Sequence, residues 1–198
     1  AAGVKLLVYY HPEAEDARRI ESLVATIVED CNRWEMPFFL EPLSYAIDKD
    51  HGPLRSAERR ELVVEIARRL SPLGADVLKM EFPVDIQQQA DEGQWKLACQ
   101  ELSDACLTPW VLLSAGVSFE TFLRQTQVAC QCGASGVMVG RAVWKEAVTT
   151  RTSDRASFLD GIGRDRMRSL RALCEEFART LTDIAERPQA EPNCEQQT

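Results

Sequence analysis

Five short apolar runs alternate with segments of helical period, and the distance between successive runs restricts the fold more than any single motif does. The runs are Val4 to Tyr10, Phe38 to Tyr45, Asp76 to Pro83, Trp110 to Ala115, and Gly136 to Trp144. They are rich in Val, Leu, Phe and Tyr, and several are nearly continuous, which suits strands buried on both faces of a parallel sheet. Between the first two runs, Ile20, Leu23, Val24, Ile27, Val28 and Cys31 recur at helical steps. The stepping returns at Leu62, Val63, Ile66, Ala67 and Leu70, then at Trp95, Ala98, Cys99, Leu102 and Cys106. It returns again at Phe119, Phe122, Leu123 and Thr126, with Ser118 placed as the cap. A long amphipathic helix through Met167, Leu170, Leu173, Phe177, Leu181 and Ile184 follows. Successive runs start roughly 25 to 40 residues apart, the spacing of right-handed βαβ units.

The fold class is therefore α/β, with two architectures in competition: an open doubly wound sheet, and a (β/α)₈ TIM barrel of which about five βα units are present. No Gly-x-Gly-x-x-Gly turn follows the first run, which weakens the dinucleotide-binding version. Polar residues instead sit in or just after several runs, and a barrel builds its site at the carboxyl ends of many strands at once. Residues 1–186 are expected to form the partial barrel and residues 187–198, polar and without period, a disordered tail. The chain opens Ala1-Ala2-Gly3 without methionine and passes at once into a strand, as if it started inside a larger fold.

Composition narrows the partners. A net charge of -8 over 198 residues argues against nucleic acid and anionic lipid, which need a basic field. No apolar run reaches the ~18 residues of a membrane span, and the opening residues do not read as a basic-then-apolar signal peptide. Seven cysteines without paired CxxC motifs read as reduced thiols of a cytoplasmic protein, and Cys130 and Cys132 lack zinc-site spacing. His11 and His51 stand in polar stretches with no metal-ligand cluster and receive no catalytic role. Trp34, Trp95, Trp110 and Trp144 are expected in the core. The stretch from Arg164 to Arg171 reads as the solvated face of the last helix, with a subunit contact, and so a homo-oligomer, as the alternative.

Among the charged residues inside the apolar runs, three stand out. Lys79, in Asp76-Val77-Leu78-Lys79-Met80-Glu81-Phe82-Pro83, carries an ammonium that is costly to desolvate. Burial lowers a lysine's pKa and frees the amine to attack a carbonyl. The equal alternative is an ion pair with Glu81, two residues on and on the same strand face. Glu41 follows Pro37-Phe38-Phe39-Leu40, and an apolar wall is expected to raise its pKa toward neutrality. Taken alone, it reads better as a strand-end carboxylate facing water. Lys5, in Val4-Lys5-Leu6-Leu7-Val8-Tyr9-Tyr10, is a second strand lysine among only five in the chain, against eighteen arginines. A second cation beside Lys79 would depress its pKa further.

Two small-residue turns suggest an anion site. Ser114-Ala115-Gly116-Val117-Ser118 follows a strand and opens a helix, where backbone N–H groups and the helix terminus favour an anion. Gly140-Arg141, expected in the last strand, adds a backbone N–H and a guanidinium suited to phosphate. The loops after the last two strands commonly form the phosphate cradle of such barrels.

Together, Val4-Lys5-Leu6-Leu7-Val8-Tyr9-Tyr10, Pro37-Phe38-Phe39-Leu40-Glu41, Asp76-Val77-Leu78-Lys79-Met80-Glu81, Leu113-Ser114-Ala115-Gly116-Val117-Ser118 and Gly140-Arg141-Ala142-Val143-Trp144 resemble the tagatose-1,6-bisphosphate aldolase family, in order from Val4 to roughly Ala185. Ala134-Ser135-Gly136, with Arg141-Ala142-Val143-Trp144, resembles the related sulfofructose-phosphate aldolases at least as closely. The resemblance implies a class I, Schiff-base lyase that uses no metal or cofactor and acts on a phosphorylated ketose. Tagatose 1,6-bisphosphate would yield dihydroxyacetone phosphate and glyceraldehyde 3-phosphate. Lys79 would be the Schiff-base lysine, Glu41 the acid/base and Lys5 an assisting lysine; Ser114, Gly116, Gly140 and Arg141 would hold a substrate phosphate. Family members have eight strands, and the five here resemble the fourth to the eighth, without the Asp-Gln-Arg motif that ends the first. A truncated, inactive sugar-phosphate-binding module is therefore the alternative.

Overall fold

A computed structural model of the chain describes residues 2–48, 54–149 and 151–181. His51, Ile184 and the expected tail at 187–198 lie outside the described residues. Five parallel strands, β1 (Val4–Tyr9), β2 (Phe38–Leu43), β3 (Val77–Met80), β4 (Trp110–Leu113) and β5 (Val137–Met138), pair in sequence order. The connecting helices are α1 (Ala17–Arg33), α2 (Ser56–Leu70), α3 (Glu92–Ala105) and α4 (Phe119–Gln131). After β5 come α5 (Arg141–Thr149), α6 (Thr152–Phe158) and α7 (Arg164–Phe177).

The two faces of the sheet differ because side chains alternate along a strand. Leu40, Leu78, Met80, Trp110 and Leu112 point to the helices and are fully buried, each worth ~1.5–3 kcal/mol of transfer from water. The helices meet them with matching stripes, such as Val24, Val28 and Cys31 on α1 and Leu62, Val63, Ile66 and Leu70 on α2. The opposite face carries Leu7, Tyr9, Glu41 and Lys79 and lines a cavity. β1 and β5 are the two edges of the described sheet.

Helix ends aim the chain into the strands. α1 stops where Glu35 turns left-handed (φ 50°), so that the Met36 N–H reaches the Cys31 carbonyl at 2.9 Å. α4 stops in the same way at Gly133 (φ 108°), with the Ala134 N–H on the Ala129 carbonyl at 2.9 Å. Both are Schellman turns, and each delivers the chain into the next strand. Ser118 caps α4 as expected, its hydroxyl oxygen accepting from the Thr121 N–H at 3.2 Å.

Two expected elements have different bounds. The run Gly136 to Trp144 divides into a strand of only two residues and helix α5, which begins at Arg141. Ala142, Val143 and Ala147 bury one side of that helix, and the Val143 N–H bonds the Gly140 carbonyl at 2.9 Å, so Gly140 lies at its entrance. The last helix ends at Phe177 rather than running on through Leu181, because Ala178 turns extended (ψ 144°). The Arg179 N–H then takes the Ala134 carbonyl, drawing the chain back across the fold.

Candidate active site

The parallel register brings the strand charges together. Leu7 stands opposite Glu41, and Leu40 opposite Leu78, so Glu41 and Lys79 emerge side by side one residue further on, with Lys5 beside them on the edge strand. Lys79 Nζ lies 3.0 Å from Glu41 Oε1, and Lys5 Nζ lies 2.6 Å from Oε2 of the same carboxylate. The Lys79 side chain is 18% exposed and that of Glu41 is 9% exposed, so this pair is largely out of water, whereas the second ammonium, Lys5, is open to solvent at 43%.

Of the two readings of Lys79, the ion pair with Glu81 is excluded. Lys79 pairs with Glu41, while Glu81 lines the same cavity but is engaged by Arg59 at 2.9 Å and by the Ser44 N–H and hydroxyl at 2.7 and 2.6 Å. These bonds tie the segments that follow β2 and β3 to helix α2. The expected direction for Glu41 is reversed. Burial pushes its pKa up, but hydrogen bonds from Lys5 and Lys79 outweigh burial and hold it below the usual carboxylate range. Glu41 is a resident carboxylate.

Five of the seven expected site residues, Glu41, Lys79, Ser114, Gly140 and Arg141, line one cavity of about 580 Å³ at the carboxyl ends of the strands. Lys5 and Gly116 stand behind that lining, Lys5 through Glu41 and Gly116 beneath Arg141. Ala115 (φ 47°) and Gly116 (φ 78°) are both left-handed, and the Val117 N–H closes the turn on the Ser114 carbonyl at 3.1 Å. A Cβ at Gly116 would stand 3.4 Å from the Arg141 guanidinium carbon, so the glycine lets that cation pack on the turn. Arg141 is exposed at the start of α5 rather than held in a strand.

Several lining residues were not anticipated. Leu7 and Tyr9 share a strand face with Lys5, and the two-residue period of β1 marks them. Trp144 also lines the cavity and Trp34 lies at the surface, so only Trp95 and Trp110 occupy the core expected of all four. His11 is half-buried, edge-on to Tyr45 with ring centroids 5.9 Å apart. Arg166 departs from the solvated face assigned to its stretch. Its guanidinium binds both Glu146 carboxylate oxygens at 2.9 Å and the Val143 carbonyl at 2.9 Å. Among the described residues no group of three or more His, Cys, Asp or Glu is arranged to hold a metal ion, and no helix is long and apolar enough to cross a membrane.

The family model for DeoC/LacD family aldolases matches residues 1–146. The tagatose 1,6-diphosphate aldolase of Listeria monocytogenes serotype 4b (strain CLIP80459) is 33% identical over 197 residues, covering 89% of this chain and 58% of that protein. The tagatose 1,6-diphosphate aldolase of Staphylococcus aureus (strain JH9) is 33% identical over 167 residues, covering 75% of this chain and 51% of that protein. Among solved structures, an archaeal fructose 1,6-bisphosphate aldolase matches with a TM-score of 0.58 at 22% identity, over 89% of this chain and 58% of that one. A fructose-bisphosphate aldolase from Plasmodium falciparum matches with a TM-score of 0.60 at 13% identity, over 90% of this chain and 58% of that one. These likenesses show a shared fold, the α/β barrel architecture of which five βα units stand here. The chain spans 58% of the length of the Listeria relative and 51% of the Staphylococcus relative. By its sequence match and its sheet, it belongs to the DeoC/LacD aldolase family.

Proposed function

We propose that this chain carries the Schiff-base chemistry of a class I aldolase acting on a phosphorylated ketose, with tagatose 1,6-bisphosphate as the leading substrate. The observation that carries this reading is the placement of Lys79 Nζ, 3.0 Å from the Glu41 carboxylate in a cavity that also holds Ser114, Gly140 and Arg141. The relatives named tagatose 1,6-diphosphate aldolase support the choice of ketose.

In this mechanism the Lys79 amine, once deprotonated, adds to the ketone carbon C2, and the carbinolamine loses water to leave an iminium. The C3–C4 bond then breaks with its electron pair drawn toward the iminium nitrogen. The C4 hydroxyl proton passes to a base, releasing glyceraldehyde 3-phosphate and leaving an enamine. Protonation at C3 and hydrolysis of the C=N bond free dihydroxyacetone phosphate and regenerate the lysine. Glu41, held as a carboxylate, accepts protons in these steps. The iminium bears the positive charge that the Lys79 ammonium bears at rest, so the nearby carboxylate stabilises it without rearranging. The turn at Ser114 to Ser118, with Gly140 and Arg141, holds a phosphate and orients C2 toward Nζ.

The test is cleavage of tagatose 1,6-bisphosphate, fructose 1,6-bisphosphate and a sulfofructose 1-phosphate by the 198-residue chain, followed by release of dihydroxyacetone phosphate. Release from the tagatose ester, lost in Lys79→Met, is expected; preference for the sulfosugar ester reassigns the substrate and keeps the lysine chemistry. One observation favours a second reading for this chain taken by itself. Leu7 (40% exposed) and Tyr9 (64% exposed) leave the cavity open toward the β1 edge, which favours sugar-phosphate binding without turnover. Binding of the ester by a monodisperse chain with no product formed is the outcome that supports it.

A further inference from the structure

We propose that Lys145 is a positioning residue that fastens the Ser114–Ser118 turn to helix α5 in its anion-binding shape, an inference that rests on reading this turn and Arg141 as a phosphate site. Lys145 is half-buried on α5, and its Nζ donates to the Gly116 carbonyl and the Val117 carbonyl, both at 3.2 Å.

The turn needs such a fastening. Its two central residues, Ala115 and Gly116, are both left-handed, and for alanine that conformation costs on the order of 1 kcal/mol. An ammonium bonded to two successive carbonyls offsets that cost and withdraws their negative dipole ends from an arriving anion. Lys145 lies four residues after Arg141, on the same face of the same helix. Arg141 packs over Gly116 while Lys145 holds the carbonyls of Gly116 and Val117, so turn and guanidinium move as one body. Helix α5 is anchored in turn by Arg166, which binds Glu146 and the Val143 carbonyl. Neither bond of Lys145 involves Lys79 or Glu41, so its contribution is to phosphate recognition and not to the amine.

The experiment traps the imine at Lys79 with borohydride in the full 198-residue chain, using dihydroxyacetone phosphate and, separately, dihydroxyacetone, which lacks the phosphate. In Lys145→Met the concentration of dihydroxyacetone phosphate for half-maximal trapping is expected to rise about tenfold, the loss of a charged hydrogen-bond donor. Trapping with dihydroxyacetone should be unchanged, and Lys145→Arg, which still donates to both carbonyls, should restore the phosphate preference. Unchanged half-saturation in Lys145→Met overturns the proposal, as does equal loss with both ketones that Lys145→Arg fails to restore. A wild-type chain that traps both ketones equally well removes the phosphate site itself and the role of Lys145 with it. If neither ketone is trapped, the amine chemistry fails, and Lys145 is read instead from inorganic phosphate binding at the Gly116 amide by NMR. Weaker binding in Lys145→Met then supports the proposal, and equal binding overturns it.

Discussion

Glu41 and Lys79 are partners across adjacent parallel strands, Oε1 to Nζ 3.0 Å, and Lys5 closes on the second oxygen of the same carboxylate at 2.6 Å. The site is thus an array with two cations and one anion, whose carboxylate remains ionised even though its surroundings are largely dry. In the proposed mechanism such an array stabilises the cationic iminium at Lys79 and takes protons from it.

Removal of the carboxylate should separate chemistry from recognition. Glu41→Gln is expected to slow ketose cleavage by about 10²–10⁴, the range of a positioned acid–base group, with a smaller change in substrate affinity. It also leaves two ammoniums without their counter-charge. The urea midpoint should fall, by less than the ~3–5 kcal/mol of a fully buried broken pair because Lys5 is open to solvent. Steady-state kinetics together with urea titration read both effects.

Gly116→Ala should weaken phosphate binding. The backbone there is left-handed (φ 78°), and a Cβ would press on the Arg141 guanidinium at 3.4 Å. Strain of about 1–2 kcal/mol is expected in stability, together with a several-fold loss of dihydroxyacetone phosphate affinity by calorimetry. Gly74→Ala, also left-handed (φ 98°) but packed against Val28 of α1, should lower stability and leave affinity unchanged.

Acid should expose the role of the Arg166 ion pair. Arg166 holds the Glu146 pKa down at about 2, against ~4.3 in an unfolded chain. A depressed carboxylate stabilises the fold above the unfolded value, and that contribution is lost as the pH falls toward the folded one. The stability difference between wild type and Glu146→Gln should therefore be constant above about pH 5 and shrink between about pH 4 and pH 2. Glu41, depressed in the same sense, loses its contribution below the ordinary carboxylate range as well. Urea midpoints measured across this range follow both.

Arg166→Met tests the anchoring of α5. The Arg166 side chain is 14% exposed and its guanidinium serves Glu146 together with the Val143 carbonyl, so its loss should cost about 2 kcal/mol. Thermal unfolding measures it. Because α5 carries Arg141, the same variant should weaken phosphate binding.

Lys79, Glu41 and Lys5 were legible in the sequence because a charge inside an apolar strand is anomalous by itself. The βα alternation was legible because the helical stripes are long. What stayed hidden depends on pairing across the fold. Whether burial or two lysines decide the Glu41 pKa is fixed by strand register, which joins residues 36 and 38 positions apart. The boundary between β5 and α5 was missed because a short apolar run reads as strand or helix alike, and only burial of Ala142, Val143 and Ala147 decides it. Lys145 and Arg166 carry no local signal, since their partners lie 20 to 29 residues away.

The central claim is that the Lys79 amine forms the covalent bond to substrate. Borohydride reduction in the presence of dihydroxyacetone phosphate, followed by peptide mapping by mass spectrometry, tests it most directly. A reduced adduct confined to the peptide bearing Lys79, and lost in Lys79→Met, is the expected result. An adduct at another residue, or cleavage of ketose bisphosphate that leaves Lys79 unlabelled, contradicts it.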